Sequence, residues 1–517
     1  MFNAFCCNRQ SRFFSFPNIF IVILTFLVLP VYGKYTKIFE QQQINLSFDV
    51  TQPVLIADLL PQAGKELVIV GIDDKLQRIL AIYYFDTKAQ AYKQQDKIII
   101  SNNVFGYDIG KVQQNGLQHL YLLEKSAVKR YVPAHLPEES PWVKSESVAS
   151  MYVAETAELF KPIDFIQDLN NDGADDIILP HFEQLNLWLS DCCGARVSQS
   201  LPIAARFEMN QSSVSFFDQE LYFEDMDQDG KTDLVHVEIG QLSVYLQNNK
   251  MQFTTKPSII EINQNIHPVQ WWAMKAPNGQ EMDQSNIQHR SVDYIDDLNG
   301  DDIPDIAVQY TNSFGVLDKN IIFEFYYGEL VDGYLRYPQQ ANTSITSDDT
   351  LSDLVLFDRD MDGKQEVSVS SFDIGISQIV GAILSSSIDQ DVLIFSMDEN
   401  NQFAKKPQVK QEVEITFSLS SGTRGQPLVK MLDINGDNIK DIVYSDDDNV
   451  IRVSLATPNQ KRLYAKRSLR QKLAMPKNPF NAATDDLNDD GKADIVLHHG
   501  PADSPDLLSE VLVLLAN

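Results

Sequence analysis

The stretch Asp225-Met226-Asp227-Gln228-Asp229-Gly230-Lys231-Thr232-Asp233 decides the fold of this chain. Oxygen-bearing side chains stand at positions 1, 3, 5 and 9 of the stretch, and glycine stands at position 6. Short apolar runs lie on both sides of it, at 221–223 and 234–235. Strand-forming residues on either side of a short polar loop predict a β-hairpin whose turn is the acidic loop.

The same arrangement of oxygen donors occurs in six loops of the chain. Position 6 is glycine in four of them and is Asp302 or Asn438 in the others, the non-glycine types that best tolerate the positive φ of a sharp turn. Ca²⁺ binds about six to eight such oxygens, so six copies in one register predict about six Ca²⁺ sites rather than solvated acidic turns. The predicted metal ligands at positions 1, 3, 5 and 9 are Asp168, Asn170, Asp172 and Asp176; Asp225, Asp227, Asp229 and Asp233; Asp297, Asn299, Asp301 and Asp305; Asp358, Asp360, Asp362 and Glu366; Asp433, Asn435, Asp437 and Asp441; Asp486, Asn488, Asp490 and Asp494.

The residues around the loops exclude an EF-hand. An EF-hand loop ends with a bidentate glutamate at position 12 and lies between two helices. Position 12 here is Leu179, His236, Val308, Val369, Tyr444 or Leu497. The residues that follow the loops are strand formers, so we expect each loop to connect two strands.

The loops recur with a period that indicates a repeat architecture. They begin 53 to 75 residues apart, and two weaker relatives that begin at Asp58 and Asp108 precede them. The weaker units have lost the donors at positions 3 and 5, so we expect no metal there. Eight units of about four strands each predict an all-β fold, a β-propeller of about eight four-stranded blades. Seven blades are the alternative, if one weak unit is not a blade.

The two ends of the chain predict how the ring closes. Only two strand-like runs remain after the last acidic loop, whereas residues 37–50 precede the first unit and belong to no unit of their own. We therefore expect this N-terminal stretch to supply the outer strand of the last blade.

The N-terminus has the organisation of a secretory signal peptide. Arg9 and Arg12 precede an apolar run at 19–32, and the small residue Gly33 ends a plausible cleavage site. An uncleaved anchor is the alternative. We therefore predict a signal peptide at 1–33 and a protein that is secreted to the periplasm, the cell surface or the medium.

The remaining chain, 34–517, is predicted to form a single propeller domain without membrane association. The formal net charge of the whole chain, −30, argues against nucleic acid or an anionic membrane as partner. Six bound Ca²⁺ ions would reduce this charge to about −18, so we expect folding and Ca²⁺ binding to be coupled. Cys192 and Cys193 are the cysteines of this domain, and they form either a vicinal disulfide or two buried thiols.

The six loops resemble a known repeat. The pattern apolar-x-D-x-[DN]-x-D-G-x-x-D-apolar, at a spacing of about 61 residues, is similar to FG-GAP/VCBS repeats, which form the calcium-binding blades of integrin α-subunit propellers and of many secreted bacterial proteins. The resemblance covers nearly all of the domain and is specific in the last six units. The Phe-Gly and Gly-Ala-Pro signatures are mostly absent, so the resemblance implies a calcium-binding architecture and no particular ligand.

The chain lacks the sequence motifs of the common catalytic sites. We find no Gly-x-Ser-x-Gly elbow, no His-Glu-x-x-His and no phosphate-binding Gly-Lys-Ser/Thr loop. We therefore expect a non-enzymatic Ca²⁺-binding module for adhesion to a protein or a glycan. The alternative is a calcium-dependent polysaccharide lyase, because calcium-bearing eight-bladed propellers include such enzymes. Trp271 and Trp272, in a long connection, either form a recognition site or pack that connection onto the ring.

Overall fold

The computed structural model describes most of the chain after the N-terminal segment. The described ranges are 37–111, 116–133, 139–152, 160–190, 196–209, 214–217, 220–262, 265–274, 286–315, 318–372, 387–416, 426–446, 449–458 and 462–517. The predicted signal peptide and the Cys192-Cys193 pair lie outside these ranges. Helical structure within them is limited to 3₁₀ turns at Trp271–Ala273, Pro479–Asn481 and Pro505–Leu507. None of the described helices is long and apolar enough to cross a bilayer.

The described strands form eight antiparallel blades, so the protein is an eight-bladed β-propeller. Strands β1 (Phe39–Asn45) and β2 (Asp49–Val50) precede the first complete blade. Blade 1 contains β3 (Leu55–Ala57), β4 (Glu66–Ile72), β5 (Arg78–Asp86) and β6 (Ala91–Ile100), and blade 2 contains β7 (Val104–Ile109), β8 (Leu120–Glu124), β9 (Ala127–Tyr131) and β10 (Trp142–Ser147), with β11 (Lys161–Pro162) beside β7. Blade 3 contains β12 (Ile166–Gln167), β13 (Asp176–Pro180), β14 (Leu185–Ser190) and β15 (Arg196–Leu201), and a separate hairpin of β16 (Arg206–Met209) and β17 (Val214–Phe217) follows it. Blade 4 contains β18 (Tyr222–Glu224), β19 (Asp233–Glu238), β20 (Gln241–Tyr245) and β21 (Ser258–Glu261).

The second half of the ring has longer strands in places. Blade 5 contains β23 (Ile287–Asp296), β24 (Asp305–Gly315), β25 (Asp318–Tyr326) and β28 (Thr343–Ile345); β22 (Ile266–His267) runs parallel to β23, and β26 (Glu329–Val331) and β27 (Tyr334–Arg336) form a side hairpin. Blade 6 contains β29 (Thr350–Phe357), β30 (Glu366–Phe372), β31 (Ser387–Phe395) and β32 (Val409–Thr416), and blade 7 contains β33 (Val429–Leu432), β34 (Asp441–Ser445), β35 (Val450–Ser454) and β36 (Leu469–Lys472). Blade 8 contains β37 (Ala482–Asp485), β38 (Asp494–His498) and β39 (Glu510–Ala516). Both weak units are blades, which confirms the count of eight.

The N-terminal strand closes the ring as predicted. β1 pairs antiparallel with β39, from Phe39 opposite Ala516 to Asn45 opposite Glu510, and thereby completes blade 8. β2 then pairs with β4 of blade 1, so one short segment belongs to the first and the last blade. The Gln471 side chain of blade 7 accepts hydrogen bonds from the N–H groups of Ile38 at 2.6 Å and Phe39 at 2.8 Å.

The hydrophobic core lies between neighbouring blades. Leu67, Val68, Ile69 and Val70 of β4 are all essentially buried, which agrees with their continuous apolar run. One cluster joins this strand to Leu487 and other residues of blade 8. Each blade is thus covered on both sides, and the radial arrangement protects most strand edges.

The hairpin connectivity defines two faces of the propeller. In an up-and-down blade, the turns between the first and second strands and between the third and fourth strands lie at one end, while the remaining connections lie at the other. We call the first end the loop face, because it carries all six acidic loops. The other end is called the opposite face, and it includes the connection that carries Trp271 and Trp272.

Candidate metal sites on the loop face

Each acidic loop joins the first and second strands of one of blades 3 to 8, as the sequence predicts. The six loops therefore lie on the same face, near the inner strands. All 24 predicted ligands are among the described residues, and the four of each loop lie on one short turn. The loops share one hydrogen-bond pattern, in which positions 1 and 9 accept from backbone N–H groups.

The aspartate at position 1 accepts hydrogen bonds from backbone N–H groups of its own turn. In the loop of blade 4, the Asp225 carboxylate accepts hydrogen bonds from the N–H groups of Asp229 at 3.0 Å and Gly230 at 2.8 Å. The bonds from positions 5 and 6 recur in all six loops at 2.7–3.2 Å, with Asp168, Asp225, Asp297, Asp358, Asp433 and Asp486 as acceptors. The position-1 oxygens thus face the middle of the loop, where a cation would sit.

The carboxylate at position 9 is buried and binds two separate backbone segments. Asp494 accepts from the N–H of Leu487 at 3.0 Å and from the N–H of Ala516, at the end of the third strand, at 2.7 Å. Burial raises the pKa of Asp494 to about 7. The bond from position 2 recurs in every loop at 2.8–3.2 Å. A second bond, from an N–H at or just after the end of the third strand, recurs at 2.5–2.8 Å for Asp176, Asp233, Asp305 and Asp441.

Two positions of every loop have positive φ. The sequence predicts this for position 6, and φ there is between 63° and 84° in the six loops. Position 4 was not predicted to have positive φ, but φ there is between 57° and 80°. The two loops without glycine at position 6 have it at position 4, as Gly300 and Gly436. Every loop therefore contains one glycine at one of its two left-handed positions.

The side-chain oxygens fit a hard cation. In two loops, three carboxylates have oxygens within 4.8 Å of one another: Asp225, Asp227 and Asp229 in blade 4, and Asp358, Asp360 and Glu366 in blade 6. These are the two loops with aspartate at position 3, whereas the other four offer an asparagine amide oxygen there. Acidic and amide oxygens in alternation are the ligand set that Ca²⁺ prefers.

Asn299, at position 3 of the blade 5 loop, provides a separate indication that these loops fit a cation. Its side chain is 4% exposed, and its Nδ2 donates to Asp305 at 3.1 Å. Its Oδ1 is buried and has no hydrogen-bond partner among the described residues. A buried amide oxygen without a partner destabilises the fold, and a cation between Asp297, Asp301 and Asp305 would supply the missing interaction.

Backbone hydrogen bonds join neighbouring loops around part of the ring. The N–H at position 8 donates to a carbonyl at the start of the preceding loop in four junctions: Gln365 to Leu298 at 3.0 Å, Lys440 to Arg359 at 2.9 Å, Ala493 to Asp433 at 2.8 Å and Lys65 to Leu487 at 3.0 Å. Position 8 of the blade 5 loop is Pro304, which has no N–H. At that junction the Gln228 side chain donates to the Asp302 carbonyl at 2.9 Å instead.

Blades 1 and 2 have lost the ligands in different ways. In blade 1, Glu66 at position 9 is still buried and accepts from Leu59 at 2.7 Å and Leu60 at 3.0 Å. Position 4 of this loop is Pro61, whose ring fixes a negative φ and prevents the turn of the other loops. In blade 2, Asp108 accepts from Phe165 and Ile166 of blade 3, both at 2.7 Å. These geometries agree with the expectation of no metal, which stays a prediction.

Comparison with known proteins gives no family. No protein-family model matches the chain, and no curated protein matches it. Solved structures similar to it include a lectin from Agrocybe aegerita that recognises non-reducing terminal N-acetylglucosamine (10% identity, TM-score 0.35, 91% of this chain and 86% of that chain). A Lactobacillus plantarum protein (10%, 0.34, 83% and 96%) and a putative 6-phosphogluconolactonase from Bacteroides fragilis (12%, 0.32, 79% and 97%) are also similar. Similarities this low do not identify a function.

Proposed function

We propose that this protein is a Ca²⁺-binding β-propeller of the FG-GAP/VCBS type, secreted from the cell, that acts as a non-enzymatic binding module for a protein or a glycan. The observation that carries the metal assignment is the buried, unpartnered Oδ1 of Asn299 within a loop that otherwise presents only carboxylates. The shared hydrogen-bond pattern extends the assignment to all six loops.

In each loop, the residues at positions 1, 3, 5 and 9 would hold the ion. Ca²⁺ supplies positive charge where three or four acidic or amide side chains converge, and it needs no redox or acid–base chemistry to do so. Without it, like charges repel within each loop, and internal cations offset only part of this repulsion, as Lys231 does beside Asp229. We therefore expect the ions to stabilise the loop face.

The binding role is supported by the connections on the opposite face. Phe182, Ile239 and Trp272, from turns and connections of consecutive blades 3, 4 and 5, are 41%, 61% and 55% exposed. Surface connections on a rigid scaffold commonly carry recognition residues. The charge of −30 disfavours nucleic acid and anionic membranes and leaves proteins and glycans as the partner classes.

The test is a calorimetric Ca²⁺ titration of residues 34–517, with thermal melts in Ca²⁺ and in chelator. We expect about six ions and a large fall in melting temperature on chelation, because each site at a hundredfold excess of Ca²⁺ over its Kd adds about 2.7 kcal/mol. Asn299→Leu should bind one ion fewer. The matched control is Asn320→Leu, an exposed residue of β25 in the same blade, which should leave the stoichiometry unchanged.

The non-enzymatic part of the proposal needs its own measurement. A polysaccharide lyase acting on a uronate polymer creates an unsaturated product that absorbs in the ultraviolet. We expect no increase in absorbance when the Ca²⁺-loaded protein is incubated with pectin-type polymers. An increase that chelation abolishes would overturn the non-enzymatic assignment in favour of the lyase alternative.

A further inference from the structure

Trp272 stands apart from the other tryptophans of the chain. It is 55% exposed, whereas Trp142, Trp188 and Trp271 are partly buried. Trp271 packs against it edge to face, with ring centroids 5.6 Å apart. The connection is therefore packed onto the ring by Trp271, while Trp272 presents its indole to solvent. We call these two residues the tryptophan platform.

The turn that carries the platform is tied to strand β23 of blade 5. Gln270 directly precedes the platform, and its Nε2 donates to Asp293 at 2.8 Å. The Gln270 Oε1 accepts from the Ser291 hydroxyl at 2.7 Å. One residue earlier, the Val269 carbonyl accepts from His289 at 2.7 Å. An exposed indole held in this way loses little conformational freedom when it binds a ligand, which favours affinity.

Polar groups surround the turn. Strand β23 has a bulge between Val292 and Tyr294, so Asp293 leaves the regular pairing, and bulges often redirect a side chain near a functional site. Burial and, to a smaller extent, the negative charge of Glu220, an exposed residue before β18, raise the pKa of Asp293 to about 7. A carboxylate offers about four acceptor sites, so Asp293 has capacity beyond its bond to Gln270.

Charges of both signs lie around the platform, and this restricts the ligand. The Lys319 ammonium is 4.3 Å from the centroid of the Trp271 ring and would repel a cationic group placed on the platform. Glu220 and Asp293 would repel an anionic ligand. A neutral ligand with many hydroxyl groups meets neither penalty, and its apolar ring face can stack on an indole.

We propose that Trp272 is the stacking surface of a binding site for a neutral saccharide, with Asp293 and Glu220 accepting hydrogen bonds from its hydroxyl groups. This inference rests on the binding role proposed above and names its ligand class. It does not depend on the calcium loops, which lie on the other face of the propeller.

The experiment uses residues 34–517 in Ca²⁺ on an array of immobilised neutral oligosaccharides, followed by calorimetry with the best-retained sugar. Trp272→Ala should weaken binding at least about tenfold, as expected for a central aromatic contact. Asp293→Asn should weaken it less, because the amide retains one acceptor. The control is Phe480→Ala, a 73% exposed aromatic residue in the equivalent connection between blades 7 and 8, which should bind as the unmodified chain does.

The outcomes separate this inference from the calcium proposal. Unchanged melting temperatures and ion stoichiometry in Trp272→Ala show that a loss of sugar binding is local. Sugar binding without Ca²⁺ uptake would overturn the calcium assignment and support the saccharide site. Retention of no neutral sugar, equal retention by Trp272→Ala, or binding of basic peptides alone would overturn the saccharide site. Affinity that falls steeply with added salt would do the same, because stacking on a neutral ring is not ionic.

Discussion

The loops of blades 8 and 1 are neighbours on the ring, and they differ in what they retain. Asp494 and Glu66, both at position 9, are buried and accept a hydrogen bond from position 2 of their own loop. The N–H groups at position 8 of both loops donate to the preceding blade. Positions 3 and 5 are Asn488 and Asp490 in blade 8, but they are a buried leucine and a glutamine in blade 1.

This difference divides the repeat into two parts. Positions 8 and 9 are retained where no metal is expected, so they serve the fold. Position 8 joins neighbouring blades, and position 9, at the start of the second strand, accepts hydrogen bonds from the first residues of its own loop. Positions 3 and 5 are lost there, which supports our proposal that in the other blades they bind the cation. The four predictions below test this division, from the largest expected effect to the smallest.

The first prediction concerns position 9 in both blades. Asp494→Ala and Glu66→Ala each leave two buried N–H groups without an acceptor, and each such group costs about 1–3 kcal/mol. We expect the free energy of unfolding in chelator to fall by roughly 2–6 kcal/mol for either variant, measured by urea denaturation. The control is Asp74→Ala, an exposed acidic residue in the β4–β5 turn. A silent Glu66→Ala would refute the structural role of position 9.

The second prediction concerns position 5 of blade 8. Asp490 is exposed, so Asp490→Ala should leave stability in chelator nearly unchanged. In Ca²⁺ at a hundredfold excess over Kd it should lose about 2.7 kcal/mol and one bound ion. Denaturation under both conditions, with ion stoichiometry, makes the comparison. Equal losses with and without Ca²⁺ would place Asp490 among the structural positions and remove the proposed division.

Much of this arrangement could be predicted from the sequence, because it depends on the identity of the side chains. The number of blades, the closing strand and the positive φ at position 6 follow from apolar periodicity and from where Asp, Asn and Gly stand. The four inter-blade bonds between backbone groups could not be predicted, because their donor is the backbone N–H of position 8. The residues there are Asp175, Thr232, Pro304, Gln365, Lys440 and Ala493, which share no side-chain type.

The second left-handed position of the loops, by contrast, has a signal in the sequence. Gly300 and Gly436 at position 4 occur only in the two loops that lack glycine at position 6, and this exchange marks a second left-handed position. The hydrogen bonds that position 9 accepts from the backbone, besides the metal binding proposed for it, had no such signal. A carboxylate that binds metal and one that accepts two backbone N–H groups look the same in a sequence, and only burial and geometry separate them.

The third prediction tests the inter-blade bond. Lys440→Pro removes the N–H that donates to the Arg359 carbonyl, and Pro304 shows that the loop tolerates proline at this position. We expect a loss of about 1 kcal/mol, the typical net value of one hydrogen bond, with or without Ca²⁺. Lys440→Ala keeps the N–H and is the matched control. If both variants lose the same stability, the side chain rather than the backbone bond is responsible.

The smallest expected effect concerns position 4, which has a left-handed backbone in six loops. In blade 1, Pro61 prevents that conformation. Met361 has a φ of 57° and is 66% exposed, so its side chain adds strain and little packing. A left-handed residue with a Cβ costs roughly 1–2 kcal/mol, part of which the greater flexibility of unfolded glycine offsets. Met361→Gly should therefore raise the free energy of unfolding by about 0.5 kcal/mol in chelator.

The reverse change at position 6 of the same loop is the matched control. Gly363 has a φ of 84°, and a Cβ there would lie no closer than 4.0 Å to a neighbouring atom, the Gly300 Cα, so Gly363→Ala should lower stability through backbone strain. Glycine keeps the left-handed conformation at position 4, so Asp358, Asp360 and Glu366 should stay close together in Met361→Gly. We therefore expect Met361→Gly to leave the Ca²⁺ stoichiometry unchanged. Loss of stability in Met361→Gly would mean that the methionine side chain packs on the loop face, and the loop would then depend on more than its backbone path.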